Sequence, residues 1–77
     1  MTLTIVSPEQ TIFQGEVTAV TFPGASGSFT VLQNHAPIIS TLTAGNVVYA
    51  SGQQKTEIAI SGGIVEVHNN VITLCVK

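Results

Sequence analysis

No stretch of this 77-residue sequence runs much beyond about ten residues without a residue that breaks regular structure. Pro8, Gly15, Pro23-Gly24, Gly27, Asn34, Pro37, Gly45, Gly52, Gly62-Gly63 and Asn69-Asn70 follow one another at that spacing. An ordinary helix needs about eight to twenty uninterrupted residues and finds no room here. A strand needs about five or six. The punctuation therefore restricts the chain to short extended segments joined by tight turns, the rhythm of a sandwich or barrel.

The segments between the breaks carry the matching period of two. Leu3 and Ile5 alternate with threonines in a first strand that ends near Ser7-Pro8, and Glu9-Gln10-Thr11 form a turn. Ile12-Phe13-Gln14 open a second element, in which Gly15 is expected to mark a bulge or bend before 16–22. There Val20 and Phe22 share one face, Val17 and Ala19 the other. Phe29 and Val31 point one way from a short strand, and His35-Ala36-Pro37 make a corner, because a residue before proline is driven out of the α region. Residues 38–42 are extended. Residues 47–50 and 56–60 form a hairpin around Ser51-Gly52-Gln53-Gln54, with Ile58 and Ile60 inward. A last hairpin places Val65 and Val67 across from Ile72, Leu74 and Val76, turning at Asn69-Asn70, which tolerate the positive φ of a tight turn. Ten valines, eight isoleucines and ten threonines supply side chains that fit a pleated surface. Apolar residues on both faces of several strands argue for two packed sheets.

At this length the chain is expected to form one domain spanning 1–77, with a thin core that covers only ~60% of the extended surface. It has no staple: Cys75 is the only cysteine, and no cysteine–histidine cluster could hold zinc. Six residues carry full charge, with a formal net charge of -2. Lys55 and Lys77 are the only basic residues, so there is no cationic stripe for nucleic acid or anionic lipid. So sparse a charge leaves two readings: a surface kept soluble by its polar uncharged residues, or one partly covered in an assembly. No segment reads as a signal peptide or a membrane-spanning helix, and a cytosolic setting suits the free thiol.

A search for chemistry finds no catalytic, cofactor-binding or metal-ligating constellation. Glu9, Glu16, Glu57 and Glu66 fall mostly at strand ends or outward positions. Glu66 shares a strand face with His68 and either meets a partner or sits beside that ring, but two side chains make no metal site. Gly24-Ala25-Ser26-Gly27 lacks the lysine and following helix of a phosphate loop, and Gly62-Gly63 precedes a strand. Cys75 reads as a small, at least half-buried hydrophobe, Phe13, Phe22 and Phe29 as core aromatics, and Tyr49 as a sheet-edge residue with its hydroxyl in water. His35 either ties loop carbonyls together or contacts a partner.

One ordered set of segments is more specific than any of these. It comprises Phe22-Pro23-Gly24-Ala25-Ser26-Gly27-Ser28-Phe29, then Val31-Leu32-Gln33-Asn34-His35-Ala36-Pro37, Leu42-Thr43-Ala44-Gly45 and Ile60-Ser61-Gly62-Gly63-Ile64-Val65-Glu66-Val67. With Leu3 to Glu9 and Ile12 to Val17, it closely resembles the N-terminal β-domain of the epsilon subunit of bacterial F-type ATP synthase (delta in mitochondria). The resemblance covers essentially the whole chain. It implies a ten-stranded β-sandwich, or flattened barrel, that catalyses nothing and needs no cofactor. It further implies a seat in the central stalk at the cytoplasmic face of the plasma membrane. There the gamma subunit and the c-ring are direct partners, the alpha3beta3 head an indirect one, and no part enters the bilayer.

By the same resemblance Ala25, Ser26, Gly27 and Ser28 occupy the place of the c-ring contact, anchored by Phe29, while Ser7, His35 and Ser40 fall where the family faces gamma. Many relatives carry an acid at the position of Ser28 and Pro-Gly before the histidine, where this chain has Gln33-Asn34. A c-ring contact made through hydroxyl and backbone hydrogen bonds is expected instead of ion pairs. The C-terminal helical hairpin typical of the family has no counterpart in this sequence, so inhibition of hydrolysis and ATP binding are not expected of it. A small β-rich adaptor or assembly protein unrelated to ATP synthase, or a minimal enzyme or ligand-binding barrel, for which the polar constellation of a pocket is lacking, remains the alternative on the residues alone.

Overall fold

The computed structural model describes residues 1–77 and is all-β. Its strands are β1 (Thr2–Val6), β2 (Thr11–Glu16), β3 (Ala19–Phe22), β4 (Phe29–Leu32), β5 (Ile38–Leu42), β6 (Gly45–Ser51), β7 (Gln54–Ile60), β8 (Gly63–His68) and β9 (Val71–Val76). They form a five-stranded sheet, β2-β1-β9-β8-β5, and a four-stranded sheet, β4-β3-β6-β7. Every neighbouring pair is antiparallel except β1 with β9, which run parallel. The sandwich expectation holds, with nine strands in place of ten. One further pairing, Gly24 with Leu42, stops at a single bridge because the chain turns immediately after it.

The two sheets enclose one core of 14 buried residues, among them Leu3, Ile5, Val20, Phe22, Val31, Val47, Val65, Ile72 and Leu74, all fully enclosed. These are the inward members of the period-two pattern, each contributing roughly 1.5–3 kcal/mol from burial. The last hairpin forms as read: Val65 faces Leu74, Val67 faces Ile72, and Asn69 and Asn70 hold φ of 52° and 61° in the turn. The β6–β7 hairpin is longer than the alternation indicated and turns tightly at Gly52-Gln53, since Ser51 already pairs with Gln54.

Three local expectations are corrected. Gly15 is no bulge; it pairs in register with Leu3, and the extra residue of β2 is Ile12, left over between the Ile5–Phe13 and Val6–Thr11 pairs. Gly15 instead makes room for the Phe13 ring, which stacks 4.5 Å from Tyr49 across the two sheets. Tyr49 is accordingly buried, because β6 lies inside its sheet and not at an edge. Cys75 is exposed: its neighbours Leu74 and Val76 take the inward positions, and the thiol stands on the outer face between Val6 and Ile64.

Two corners of the sandwich are tied by main chain. At Val17-Thr18 the chain passes from one sheet to the other. Val17 exchanges backbone hydrogen bonds with Met1 (2.8 and 3.2 Å), and the Thr18 N–H donates to the Ala50 carbonyl at 2.8 Å. At the diagonally opposite corner, the Ala25 N–H donates to the Thr41 carbonyl (3.1 Å) and the Thr43 N–H to the Pro23 carbonyl (2.9 Å). The same region as the first corner carries the one ion pair, Met1 ammonium to Glu16 at 3.6 Å. The Thr2 hydroxyl also donates to Glu16 at 2.6 Å and, with the ammonium, holds this carboxyl below the usual carboxylate range.

A carboxyl whose pKa falls on folding stabilises the fold above its unfolded pKa of about 4.3, and that contribution disappears as pH drops through the folded value. Chemical denaturation of the parent and a Glu16→Gln variant is therefore expected to show the parent ahead near neutrality and the gap closing below about pH 4. A gap independent of pH would rule out this origin. The group is exposed, so the difference is small.

Candidate interaction surfaces

The residues singled out in the sequence occupy two ends and one edge of the sandwich. Ser7 follows β1 at the end where Cys75, Gly62 and Lys77 also lie, and its hydroxyl pairs with Gln10 in the turn to β2. The loop Ala25–Ser28 is exposed at this same end. Its root is the Gly24–Leu42 bridge, and the Gly27 N–H closes the turn onto the Gly24 carbonyl at 3.0 Å. The Phe29 ring stands 5.5 Å from Phe22 and fastens the loop's other root to the core, as expected.

His35 lies at the opposite end. The Asn34 N–H donates to the Asn70 side-chain oxygen (2.7 Å), and the Asn70 amide returns a bond to that of Asn34 (2.9 Å), locking the corner to the β8–β9 turn. The exposed His35 ring donates from Nδ1 to the Ala36 carbonyl (2.8 Å), which leaves Nε2 pointing away with its lone pair free in the neutral ring. Ser40 sits between the ends on β5, an edge strand. It is half-buried in the inward row with Ile38 and Leu42, so an incoming group reaches it from the side of the sandwich. Ser7 and His35 thus lie at opposite ends, at least a strand length of about 17–20 Å apart, and toward opposite sides of the five-stranded sheet.

That sheet offers a surface the sequence did not assign. Ile39, Ile64 and Val71, three of the five large exposed hydrophobic residues, stand on its outer face, with Ile39 the most exposed at 74%. Beside Ile39 lies an open recess of about 420 Å³ lined by Pro37, Ile38, Ile39, Glu66, Val67 and His68. Glu66 and His68 do share this face, as the alternation required. The signal was present as apolar residues on the outward phase of β5 and β8, but that phase is equally what a second packed layer would produce.

Two sheets tied by main chain, with a few exposed apolar side chains among polar ones on one outer face and polar loops at either end, make a domain of the β-sandwich class. The chain belongs to the family of the ATP synthase delta/epsilon chain, β-sandwich domain, whose description matches residues 1–77. This removes the alternative of an unrelated adaptor. Among curated relatives, the ATP synthase epsilon chain of Desulfitobacterium hafniense (strain DSM 10664 / DCB-2) is 41% identical over 73 residues, covering 95% of this chain and 55% of the relative. That of Leptospira borgpetersenii serovar Hardjo-bovis (strain JB197) is 34% identical over 74 residues, covering 96% and 58%. The chain therefore spans a little over half the length of these relatives.

Among solved structures, a chain of the Euglena gracilis mitochondrial ATP synthase, described as OSCP/F1/c-ring in rotational state 1, superposes with a TM-score of 0.88 at 27% identity. That match covers 96% of this chain and 48% of the other. A chain of the Tetrahymena thermophila mitochondrial ATP synthase central stalk and c-ring shares the fold at a TM-score of 0.83 and 17% identity, covering 99% and 62%.

Proposed function

We infer that this chain is a non-catalytic part of the central stalk of an F-type ATP synthase. It is seated between the gamma subunit and the c-ring, where it links ion passage to rotation beneath the catalytic head. The observation that carries the reading is the match to the delta/epsilon family along the whole of residues 1–77. In this role it lies peripherally at the cytoplasmic face of a bacterial plasma membrane. It meets the alpha3beta3 head only through gamma and requires no cofactor.

The loop Ala25–Ser28 meets the c-ring through hydroxyls and backbone groups. Ser7, His35 and Ser40 meet gamma, which lies along the five-stranded sheet, and Ile39 with its recess supplies the apolar area that these polar residues lack. The His35 Nε2 lone pair calls for a hydrogen-bond donor on that partner.

The first test is capture from detergent-solubilised membranes with the tagged chain. Recovery of gamma, with alpha and beta following, is expected; recovery of none of them sinks the reading. The second is substitution. Ser28→Trp is expected to weaken c-ring docking and His35→Ala gamma binding, each by roughly tenfold, as for groups at the centre of a contact. Because these positions are exposed, the fold should change by no more than about 0.5 kcal/mol. If both variants bind like the parent, these side chains are not the contacts.

A further inference from the structure

The sheets of a sandwich are ordinarily joined by side chains packing across the middle. Here backbone hydrogen bonds also cross between them where the loop Ala25–Ser28 begins. Residues 23–25 continue from β3, a strand of the four-stranded sheet, yet they bond to residues 41–43 at the end of β5, an edge strand of the other sheet. Gly24 sits at the centre of this clasp. A Cβ there would come within 2.5 Å of the Gly27 carbonyl oxygen and 2.9 Å of the Phe29 ring. The loop is therefore folded back tightly over its own root, and β5, which carries Ile39 and Ser40, is fastened to that root.

We propose that this clasp is a positioning element for docking. It holds the 25–28 loop in its bound shape before the partner arrives, and it passes force on the loop directly into β5 with no sliding of one sheet over the other. The inference rests on the reading of the loop and β5 as contacts to two different partners. A pre-ordered loop binds more tightly because less freedom is lost on contact.

Ala25→Pro isolates the effect. Ala25 is the second residue of the Gly24–Gly27 turn, a position that favours proline. Gly24 already pairs as extended chain, the conformation required before proline. The substitution removes the N–H that bonds Thr41 and sets the ring Cδ where that hydrogen pointed, so the Thr41 carbonyl has to part from residue 25; Thr43→Pro, which opens the other bond in the same way, is the companion variant. In the isolated chain, hydrogen exchange at the Thr43 amide of Ala25→Pro is expected to quicken by about tenfold or more, with the β8–β9 amides unchanged.

In the reassembled enzyme, gamma should be recovered in full while c-ring affinity falls by about tenfold and fewer ions are pumped per ATP hydrolysed. A control with the same loss of melting temperature placed in β7, such as Ile58→Val, should leave both binding and pumping intact. Unchanged exchange at Thr43, or lost protection with parental affinity and pumping, overturns the clasp while leaving the stalk reading in place. Failure of the parent chain itself to recover either partner overturns both.

Discussion

Replacing Phe22 with alanine is expected to remove about 3–5 kcal/mol of stability, out of a total of roughly 4–12 kcal/mol for a domain of this length. Phe22 is the largest of the fully enclosed side chains, with its ring against Phe29. It lies on a central strand of the four-stranded sheet, paired with Phe29 of β4, and is flanked by the β6 ladder up to Thr21 and by the Gly24–Leu42 bridge, so the surrounding backbone cannot readily collapse into the space. The cost therefore belongs at the upper end of the range for such truncations. Each kcal/mol lowers the melting temperature of so small a domain by about 4–8 °C, so a fall of at least about 15 °C is expected. Urea denaturation with an unchanged slope checks it; a loss below about 1 kcal/mol would mean that the ring does not fill the centre of the core. Because residues 23–25 follow at once, the variant should also loosen the adjoining loop.

The second large effect is expected at Gly63, for a different physical reason. Its backbone does not occupy the left-handed region, so an alanine would be free of dihedral strain. The obstacle is contact: a Cβ would overlap the Cys75 carbonyl oxygen and lie 3.2 Å from the Val76 Cα. These atoms are backbone, and β8 is paired with β9 on one side and β5 on the other, so relief on one ladder strains the next. Gly63→Ala is accordingly expected to cost about 3 kcal/mol, the top of the overpacking range. Gly52→Ala is the contrasting case. It holds a positive φ of 66° in an open turn with nothing near its Cβ, and it should lose only about 1–2 kcal/mol. Thermal melts of the two variants separate the explanations. Equal losses would show that close approach at Gly63 is not the governing term.

Much of this architecture can be read from local pattern. The turn at Asn69-Asn70 and the inward rows of β1, β8 and β9 follow from alternation and from residues that accept positive φ, both properties of a few neighbouring positions. What could not be read depends on which strand lies beside which. The exposed thiol of Cys75 was legible in phase but not in burial, because only the sheet order shows that nothing covers that face. Tyr49 was placed at an edge for want of knowing that β3 and β7 flank its strand. Gly15 drew the bulge that belongs to Ile12, since a glycine marks a bend and a tight ring contact equally well. The candidate surfaces divide in the same way. The Ala25–Ser28 loop was identifiable from its own residues, whereas the separation of Ser7 from His35 emerges only when β1 and β9 are laid parallel.

That parallel pair also bears on how the molecule comes into being. β9, residues 71–76, is the middle strand of its sheet, inserted between β1 and β8. While the chain is being made, β1 and β2 can pair early and β5 and β8 can pair later, but the two halves have no common neighbour until β9 arrives between them. Leu3 and Ile5 then meet Ile72 and Leu74 across nearly the full length of the chain. Closing so long a loop is entropically expensive before any contact rewards it, so such topologies fold slowly and late. Until the last strand is released, the apolar rows of both halves remain open to water and to chaperones. Completion of the five-stranded sheet therefore waits on β9, and its continuous outer face forms only in that step, whereas the clasp between residues 23–25 and 41–43 needs no part of that strand.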